Sequence, residues 1–201
     1  MLTHWLACLA LVLLLPGGPA WAADISLRQP VLMVGDDGYT VSADFNINFN
    51  SRLEEAVGRG VVLYFTVDFE LTHARWYWFN ERVVRRSRTY ELSYHALTQQ
   101  YRVSTGGLHQ SYNSLDEALR VISRLRSWLV ISKEELRNGA SGTAALRMRL
   151  DLTQMPKTFQ VSAISNKDWN LSSDWERWPF MPNDAAAATP SVPIENNGEA
   201  R

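Results

Sequence analysis

The chain has 201 residues, 20 basic and 21 acidic side chains, a net charge of -1 and a single cysteine. Its hydrophobic fraction of 46% excludes a disordered chain, and its glycine and proline contents exclude collagen-like sequences. The near-zero net charge predicts no general affinity for nucleic acid. We therefore expect one globular domain of medium size with short segments at its ends.

Residues 1–22 have the layout of a secretory signal peptide. An apolar run (residues 6–15) precedes Pro16, and a small-x-small cleavage site ends at Ala22. The run is too short to span a bilayer, which needs about 20 apolar residues. An uncleaved N-terminal anchor is the alternative, because no lysine or arginine precedes the run. Cleavage would remove Cys8, which leaves no thiol for a disulfide, a nucleophile or a metal site.

Apolar and polar side chains alternate over most of the following sequence, which is typical of strands with one buried face. The Gly-Asp-Asp-Gly sequence at 35–38 predicts a tight hairpin turn. Alternation predicts strands over 39–49 and 60–70, and a short helix over 51–57 separates them.

A second hairpin is predicted to turn at residues 80–81. Phe69 would then lie opposite Leu92, so that apolar side chains meet across the two strands. The same register predicts a β-bulge between residues 71 and 75.

A strand over 99–105 is followed by the clearest helix signal. Ser114 is a good N-cap, Glu117 completes a capping box, and apolar residues recur at helical spacing as far as Leu125. Asp116 and Arg120 are expected to form an ion pair on this helix.

Two further strands are predicted, over 143–152 and 159–164. The chain is thus predicted to be mainly β: an antiparallel β-sandwich or curled sheet, Ig-like in broad architecture, with one covering amphipathic helix and one short helix. The predicted organisation is a signal peptide (1–22), a single β-rich domain (23–182) and a disordered C-terminal tail (183–201).

Catalytic, nucleotide-binding and metal-binding motifs are absent from the sequence, so no cofactor and no catalytic residue are expected. His73 and His95 are not opposite each other in the predicted register, which argues against a metal site between them. Asp68 and Glu70 lie two residues apart on one strand face. They are either a glycosidase-like carboxylate pair or the solvated side of a strand.

Tryptophan and arginine are concentrated in the second hairpin, where guanidinium groups can stack on indole rings. The arginines could simply cover the tryptophans and stabilise the hairpin. The cluster could instead be a protein interface, where both residue types are favoured, or a sugar-stacking surface. The candidate binding residues are Trp76, Trp78, Arg82, Arg85, Arg86 and Arg88.

Two sequence stretches carry a family resemblance: ARWYWFNERVVRRSRTYELSYHALTQQYRVSTGG at 74–107 and SLDEALRVISRLRSW at 114–128. With the signal peptide, they resemble domain-of-unknown-function family 4390, whose members are often called proline-rich signal peptide proteins. The resemblance implies an exported protein of Gram-negative bacteria, similar to ones often encoded beside a nitrogen-regulation sensor kinase. It implies no catalytic residue.

From these features we expect a periplasmic, non-enzymatic protein-interaction module of the cell envelope, with the sensor domain of a membrane kinase as a candidate partner. A glycan-binding or glycan-hydrolysing envelope protein that uses surface tryptophans and Asp68/Glu70 is the alternative. Neither a nucleic-acid partner nor a transmembrane segment is expected for the mature chain.

Overall fold

The computed structural model describes residues 25–73, 81–138, 140–164 and 167–182. The predicted signal peptide, the tip of the second hairpin and the predicted C-terminal tail lie outside these described residues. The strands of the described part are β1 (Ile25–Gly35), β2 (Gly38–Ile47), β3 (Leu63–His73), β4 (Glu81–His95), β5 (Gln100–Thr105), β6 (Leu108–Tyr112), β7 (Arg124–Ser132), β8 (Gly142–Leu150) and β9 (Glu176–Phe180). Its α-helices are α1 (Ser51–Gly58), α2 (Leu115–Ile122), α3 (Lys133–Arg137) and α4 (Lys157–Ile164).

The strands pair into two antiparallel sheets. The smaller sheet has the order β1-β2-β7, and the larger has the order β6-β5-β4-β3-β8-β9. Side chains from both sheets form one hydrophobic core. The fold is therefore mainly β, in agreement with the predicted antiparallel sandwich or curled sheet. None of the helices in the described residues is long and apolar enough to cross a membrane.

The first hairpin forms as the sequence predicts. Gly35 pairs with Gly38, which leaves Asp36 and Asp37 as a two-residue turn between β1 and β2. Along β2 the predicted apolar face is buried, since Val41 is 0% exposed and the residues at alternate positions beside it are also buried.

The predicted register of the second hairpin is wrong. Phe69 lies opposite Arg86, six residues along β4 from the predicted Leu92, which pairs with Leu63 instead. A shift by an even number of residues leaves every side chain on the same face, so the alternation of apolar residues cannot distinguish the two registers. The pairing shifts between Leu71 and Thr72, which confirms the predicted bulge.

The α2 helix is shorter than predicted. It ends at Ile122, and Leu125 belongs to β7, where it lies opposite Ala43. The spacing of Leu125 fits the helical period, but the Trp-Leu-Val-Ile run at 128–131 favours a strand, because β-branched and aromatic residues suit a pleated surface.

The prediction of a strand over 159–164 is wrong as well, because this segment lies in helix α4. Pro156 lies at the start of this helix, and its carbonyl accepts a hydrogen bond from Gln160 N at 3.2 Å. Proline suits the first turn of a helix, since its fixed φ is helical and its missing N–H would have no partner there. Short apolar runs do not distinguish a strand from a helix by periodicity alone.

At the start of β8 the chain passes very close to β3. Gly142 has a φ of +140°, and a Cβ atom there would lie 2.1 Å from the carbonyl oxygen of Thr72. Only glycine fits such a contact without moving the backbone.

We therefore expect Gly142→Ala to lower the free energy of unfolding by more than about 2 kcal/mol, through backbone strain and the clash with β3. Urea unfolding followed by circular dichroism measures this loss. Gly58→Ala is the matched control, because its added methyl group meets no atom within 4 Å at the end of α1. Equal stability of the two variants would contradict the close packing of β8 against β3.

Candidate interaction surface

The β3 strand is buried on both of its faces. Leu63, Phe65, Val67, Phe69 and Leu71 are 0% exposed and face the core. The opposite face of the larger sheet points away from the core, yet Thr66 and Asp68 on that face are only 3% and 2% exposed. A carboxylate this deeply buried requires charged or hydrogen-bonding partners.

Those partners come from the strands on either side of β3. In the register, Asp68 lies opposite Ser87 of β4 and Arg147 of β8. Its Oδ1 accepts a hydrogen bond from Ser87 Oγ at 2.8 Å. Its Oδ2 accepts from Arg147 Nε at 3.3 Å and from Arg149 Nε at 3.1 Å. Both oxygens of the carboxylate are therefore engaged by neighbouring strands.

The two arginines extend this network beyond Asp68. Arg149 Nη1 lies 3.0 Å from Asp151 Oδ1, and the guanidinium carbon of Arg147 lies 4.4 Å from the ring centroid of Trp175. Burial lowers the pKa of Arg149, but its hydrogen bonds to Asp151 and Asp68 outweigh that effect and raise the pKa. We call Asp68, Ser87, Arg147, Arg149 and Asp151 the Asp68 network.

Asp151 ends β8 and caps the turn that follows. Burial raises the pKa of its carboxyl, but hydrogen bonds from Thr153 and Gln154 and the adjacent Arg149 lower it to about 2. The carboxylate therefore stays ionised over the whole range in which the protein is expected to work.

This geometry argues against a catalytic role for Asp68 and Glu70. A glycosidase needs one carboxyl to donate a proton and another to attack or to activate water, and both must reach the substrate. Asp68 is 2% exposed and bonded through both oxygens. Glu70 Oε1 lies 3.8 Å from Arg85 Nε, and its side chain is 17% exposed.

The candidate arginines do not form one cluster, because they alternate between the two faces of β4. Arg85 lies opposite Glu70 and points outward, whereas Arg86 lies opposite the core residue Phe69. Arg88 has the same parity as Arg86. Arg82 belongs to β4 and pairs with Thr72. Trp76 and Trp78 lie outside the described residues.

Arg86 and Arg88 connect the larger sheet to the other side of the sandwich. Arg86 Nη2 lies 2.7 Å from Glu135 Oε1 in α3. Arg88 lies over Trp128 of β7, 5.2 Å from the ring centroid. Burial raises the pKa of Glu135, but its hydrogen bonds with Ser132 and the charge of Arg86 give a net lowering. Arg88 thus stacks on an indole ring outside the hairpin, whereas the predicted stacking on Trp76 and Trp78 involves residues outside the described part of the chain.

One side of β4 lacks a partner strand over half of its length. β3 pairs with β4 from Glu81 to Leu92, but β5 pairs with it only from Glu91 to His95. In the part of the chain that the structure describes, residues 83–89 therefore have no strand on the side away from β3. We call this side the β4 edge.

Several shallow clefts lie elsewhere on the surface. Two adjoining clefts, with cavity volumes of about 490 and 310 Å³, share Arg120 and Arg124 as lining residues. The predicted ion pair between Asp116 and Arg120 does not form, since no ion pair joins these two described residues. Asp68 and Glu70 line neither cleft. The described residues hold no group of three or more histidine, cysteine or acidic side chains that could bind a metal ion.

Sequence reasoning did not identify Arg147, Arg149 and Trp175 as partners in this surface. The available signal is the alternation of Arg147 and Arg149 with apolar residues, which puts both guanidinium groups on one face of β8. Pairing this face with that of Asp68 requires the strand order, which alternation does not provide.

We expect Asp68→Asn to lower the free energy of unfolding by about 2–3 kcal/mol, because its amide cannot satisfy two guanidinium groups that are only 31% and 29% exposed. Asp44→Asn is the matched control, since Asp44 and its partner Arg126 are 53% and 52% exposed and should contribute less than about 1 kcal/mol. Urea unfolding at neutral pH measures both. A loss no larger for Asp68→Asn than for Asp44→Asn would contradict the structural role of the network.

The low pKa of Asp151 predicts a loss of stability in acid. Because the folded-state pKa lies below the unfolded-state value, this contribution is complete above about pH 4 and decreases toward pH 2. The free energy of unfolding should fall over that interval by about 2 kcal/mol more in the native chain than in Asp151→Asn. Urea unfolding at several pH values tests this difference, and parallel curves for the two proteins would contradict it.

The comparisons with known proteins give one match. The family model described as a domain of unknown function (DUF4390) matches residues 22–179, from before β1 almost to the end of β9. Searches of the curated proteins and of the solved structures found no match. The family match confirms the resemblance seen in the sequence. The chain belongs to the DUF4390 family.

Proposed function

We propose that the chain is exported to the periplasm through its signal peptide (1–22), and that the mature protein is a non-enzymatic protein-interaction module of the cell envelope. The proposed binding surface comprises the arginines of β4 and the tryptophans of the same hairpin. These residues are Trp76, Trp78, Arg82, Arg85, Arg86 and Arg88.

The observation that carries this proposal is the combination of exposed arginines with the β4 edge. Arg85 is 58% exposed, and its contact with Glu70 is long, at 3.8 Å. Arg86 is 42% exposed despite its ion pair with Glu135. Exposed ion pairs of this kind contribute about 0–1 kcal/mol, so stability alone does not account for this concentration of arginine.

The Asp68 network supports a binding function over an enzymatic one. Its carboxylates are bonded to arginines and hydroxyl groups of the same sheet, and they are not directed at a cleft. The four described tryptophans are also engaged. Trp128 and Trp169 are each 7% exposed, Trp175 stacks on Arg147, and Trp178 is partly buried against the core. Because these indole rings are already packed or stacked, they support sugar stacking less than the exposed arginines support a protein partner.

The partner that we propose to test first is the sensor domain of a membrane kinase, the protein class that the family resemblance implies. Such a domain would meet the exported chain in the same compartment. Regulation of the kinase would then depend on whether the hairpin is bound.

Export predicts a defined mature protein. Expressed with its own leader in a Gram-negative host, the chain should appear in the periplasmic fraction with Ala23 as its N-terminal residue. Intact-protein mass spectrometry of the fraction measures this. A protein that retains residues 1–22 in the membrane fraction would instead establish the uncleaved anchor.

Binding through the hairpin predicts that Trp76→Ala combined with Arg85→Ala strongly lowers partner recovery. Crosslinking in cells, followed by affinity purification and mass spectrometry, identifies the partner and measures its recovery. Arg59→Ala is the matched control, because Arg59 is 75% exposed and precedes β3 at the end opposite the hairpin tip. Equal recovery with the double variant and with the control would exclude the hairpin as the interface.

A further inference from the structure

We infer that the partner binds by adding a strand to the β4 edge, and that this strand is an acidic, extended segment of another protein. The inference rests on the proposed interaction function and specifies its geometry and the chemistry of the partner. In strand addition, backbone hydrogen bonds to an unpaired sheet edge supply affinity, and flanking side chains supply specificity.

The directions of the backbone groups show that this edge can form hydrogen bonds. In an antiparallel ladder, successive residues direct their N–H and C=O groups to opposite sides. The Tyr64 carbonyl accepts from Asp151 N at 2.7 Å, so the even-numbered residues of β3 bond toward β8 and the odd-numbered ones toward β4. Since Phe65 lies opposite Tyr90, the even-numbered residues of β4 bond back to β3.

From Val84 onward, where the register with β3 is continuous, the odd-numbered residues of β4 therefore direct their backbone groups away from β3. Glu91 and the odd-numbered residues beyond it meet β5. Arg85, Ser87 and Thr89 meet no strand in the described part of the chain. Val83, Arg85 and Ser87 are also exposed residues, which leaves this side of the strand accessible. The segment 83–89 is about 20 Å long, enough to pair with a strand of ordinary length.

The charges beside the edge favour an acidic partner. Arg85 lies on the outward face, and Arg86 and Arg88 lie on the inward face, so an added strand would meet positive charge on both of its faces. Glu70 and Glu135, the acidic side chains that face Arg85 and Arg86, are 17% and 24% exposed. Glutamate or aspartate on the added strand would form favourable cross-strand pairs with these arginines.

A second copy of the chain fits the same edge poorly. Antiparallel pairing of two β4 edges centred on Ser87 would place Arg86 of each copy opposite Arg88 of the other. Like charges directly opposite each other destabilise a sheet. The charge pattern therefore favours a different protein over self-association.

Arginines along an edge can also protect it from unwanted pairing. One contact has that effect, since Arg86 Nη1 donates to the carbonyl of Arg85 at 3.1 Å. The N–H groups of Arg85, Ser87 and Thr89 and the carbonyls of Ser87 and Thr89 are not covered by this contact. Residues 83–89 contain no proline, and residues 84–89 pair with β3 in a continuous register. The bulge, another means of blocking an edge, lies at the end of this segment, because Val83 has no partner between the pairs Leu71–Val84 and Thr72–Arg82.

Amide hydrogen exchange of the free protein tests whether the edge is open. We expect the amides of Arg85, Ser87 and Thr89 to exchange much faster than those of Arg86 and Arg88 between them, which bond to β3. NMR-detected exchange resolves individual amides. Equal protection of both sets would show that another part of the chain covers the edge, and it would overturn the inference.

A matched pair of substitutions tests strand addition itself. Ser87→Pro removes an outward N–H and also the hydroxyl group that donates to Asp68, whereas Ser87→Ala removes the hydroxyl group alone. The probes are a peptide of alternating glutamate and valine and a lysine–valine peptide of equal length. Thermal unfolding identifies any variant that is not folded, and Thr89→Pro against Thr89→Ala then replaces the pair.

We expect the acidic peptide to bind and to protect the three outward amides from exchange. The proline variant should bind it about fivefold to tenfold more weakly than the alanine variant, as expected for a lost backbone hydrogen bond. Binding should weaken with added salt, and the lysine peptide should bind much more weakly.

Three results would overturn the inference. These are equal affinity of the proline and alanine variants, equal affinity for both peptides, and a concentration-dependent dimer that protects the same amides. Partner recovery in cells distinguishes a failure of strand addition from a failure of the proposed interaction function. If Trp76→Ala with Arg85→Ala abolishes recovery while Ser87→Pro does not, the hairpin binds its partner through side chains without adding a strand.

Discussion

The burial of Asp68 constrains how the strands of the larger sheet pair. A carboxylate that is 2% exposed is tolerated only when its charge is compensated, and the compensation comes from β4 on one side and β8 on the other. Ser87 must therefore lie opposite Asp68 on one strand, and Arg147 on the other. This single residue aligns three strands.

The same alignment determines where the arginines of the hairpin lie. With Ser87 opposite Asp68, Arg85 falls on the outward face and Arg86 on the core-facing side. Arg86 and Arg88 can then reach Glu135 and Trp128, which belong to α3 and β7 on the other side of the sandwich. The β4 edge lies beside these arginines. Ten residues of β4 precede Glu91, the first residue of β4 that pairs with β5. A structural ion pair in the sheet thus places the surface that we propose for binding.

The alternation of apolar residues predicted most strands but not how they pair. It located β2, β3 and the turn between β1 and β2, because one buried face imposes a period of two. It failed for the register of β3 with β4, since a shift by six residues preserves that period. The polar residues contain part of the missing information. The observed register pairs Glu70 with Arg85, whereas the predicted register would place Glu70 opposite Glu91. Both registers place a serine opposite Asp68, so that pair alone does not distinguish them. The capping box of α3, with Ser132 and Glu135, was also visible in the sequence as Ser-Lys-Glu-Glu and predicts a helix start there.

The sequence suggested which residues form the candidate site but not how they are arranged. Among the described residues, Arg88 stacks on Trp128 and Arg147 stacks on Trp175, and both contacts join distant parts of the chain. Stacking on Trp76 and Trp78 stays a prediction. Parity alone would have separated Arg85 from Arg86 and Arg88, because odd and even positions of a strand lie on opposite faces. The backbone edge has no signature in composition or periodicity, since it depends on where β5 stops pairing.

The contrast between the outward face of β3 and the edge of β4 is the main argument for a binding function. On the face, the potentially reactive groups already satisfy one another, and Asp151 stays ionised because hydrogen bonds and Arg149 lower its pKa to about 2. Catalysis would require breaking that network, with the stability cost of an unpaired buried charge. At the edge, Arg85, Ser87 and Thr89 meet no strand within the described chain, although the Arg85 carbonyl accepts a hydrogen bond from Arg86 Nη1. An added strand would pair with these residues without disturbing the core. Association through the edge would therefore destabilise the fold less than catalysis by the Asp68 network would. For this reason a protein partner explains this surface better than a substrate does.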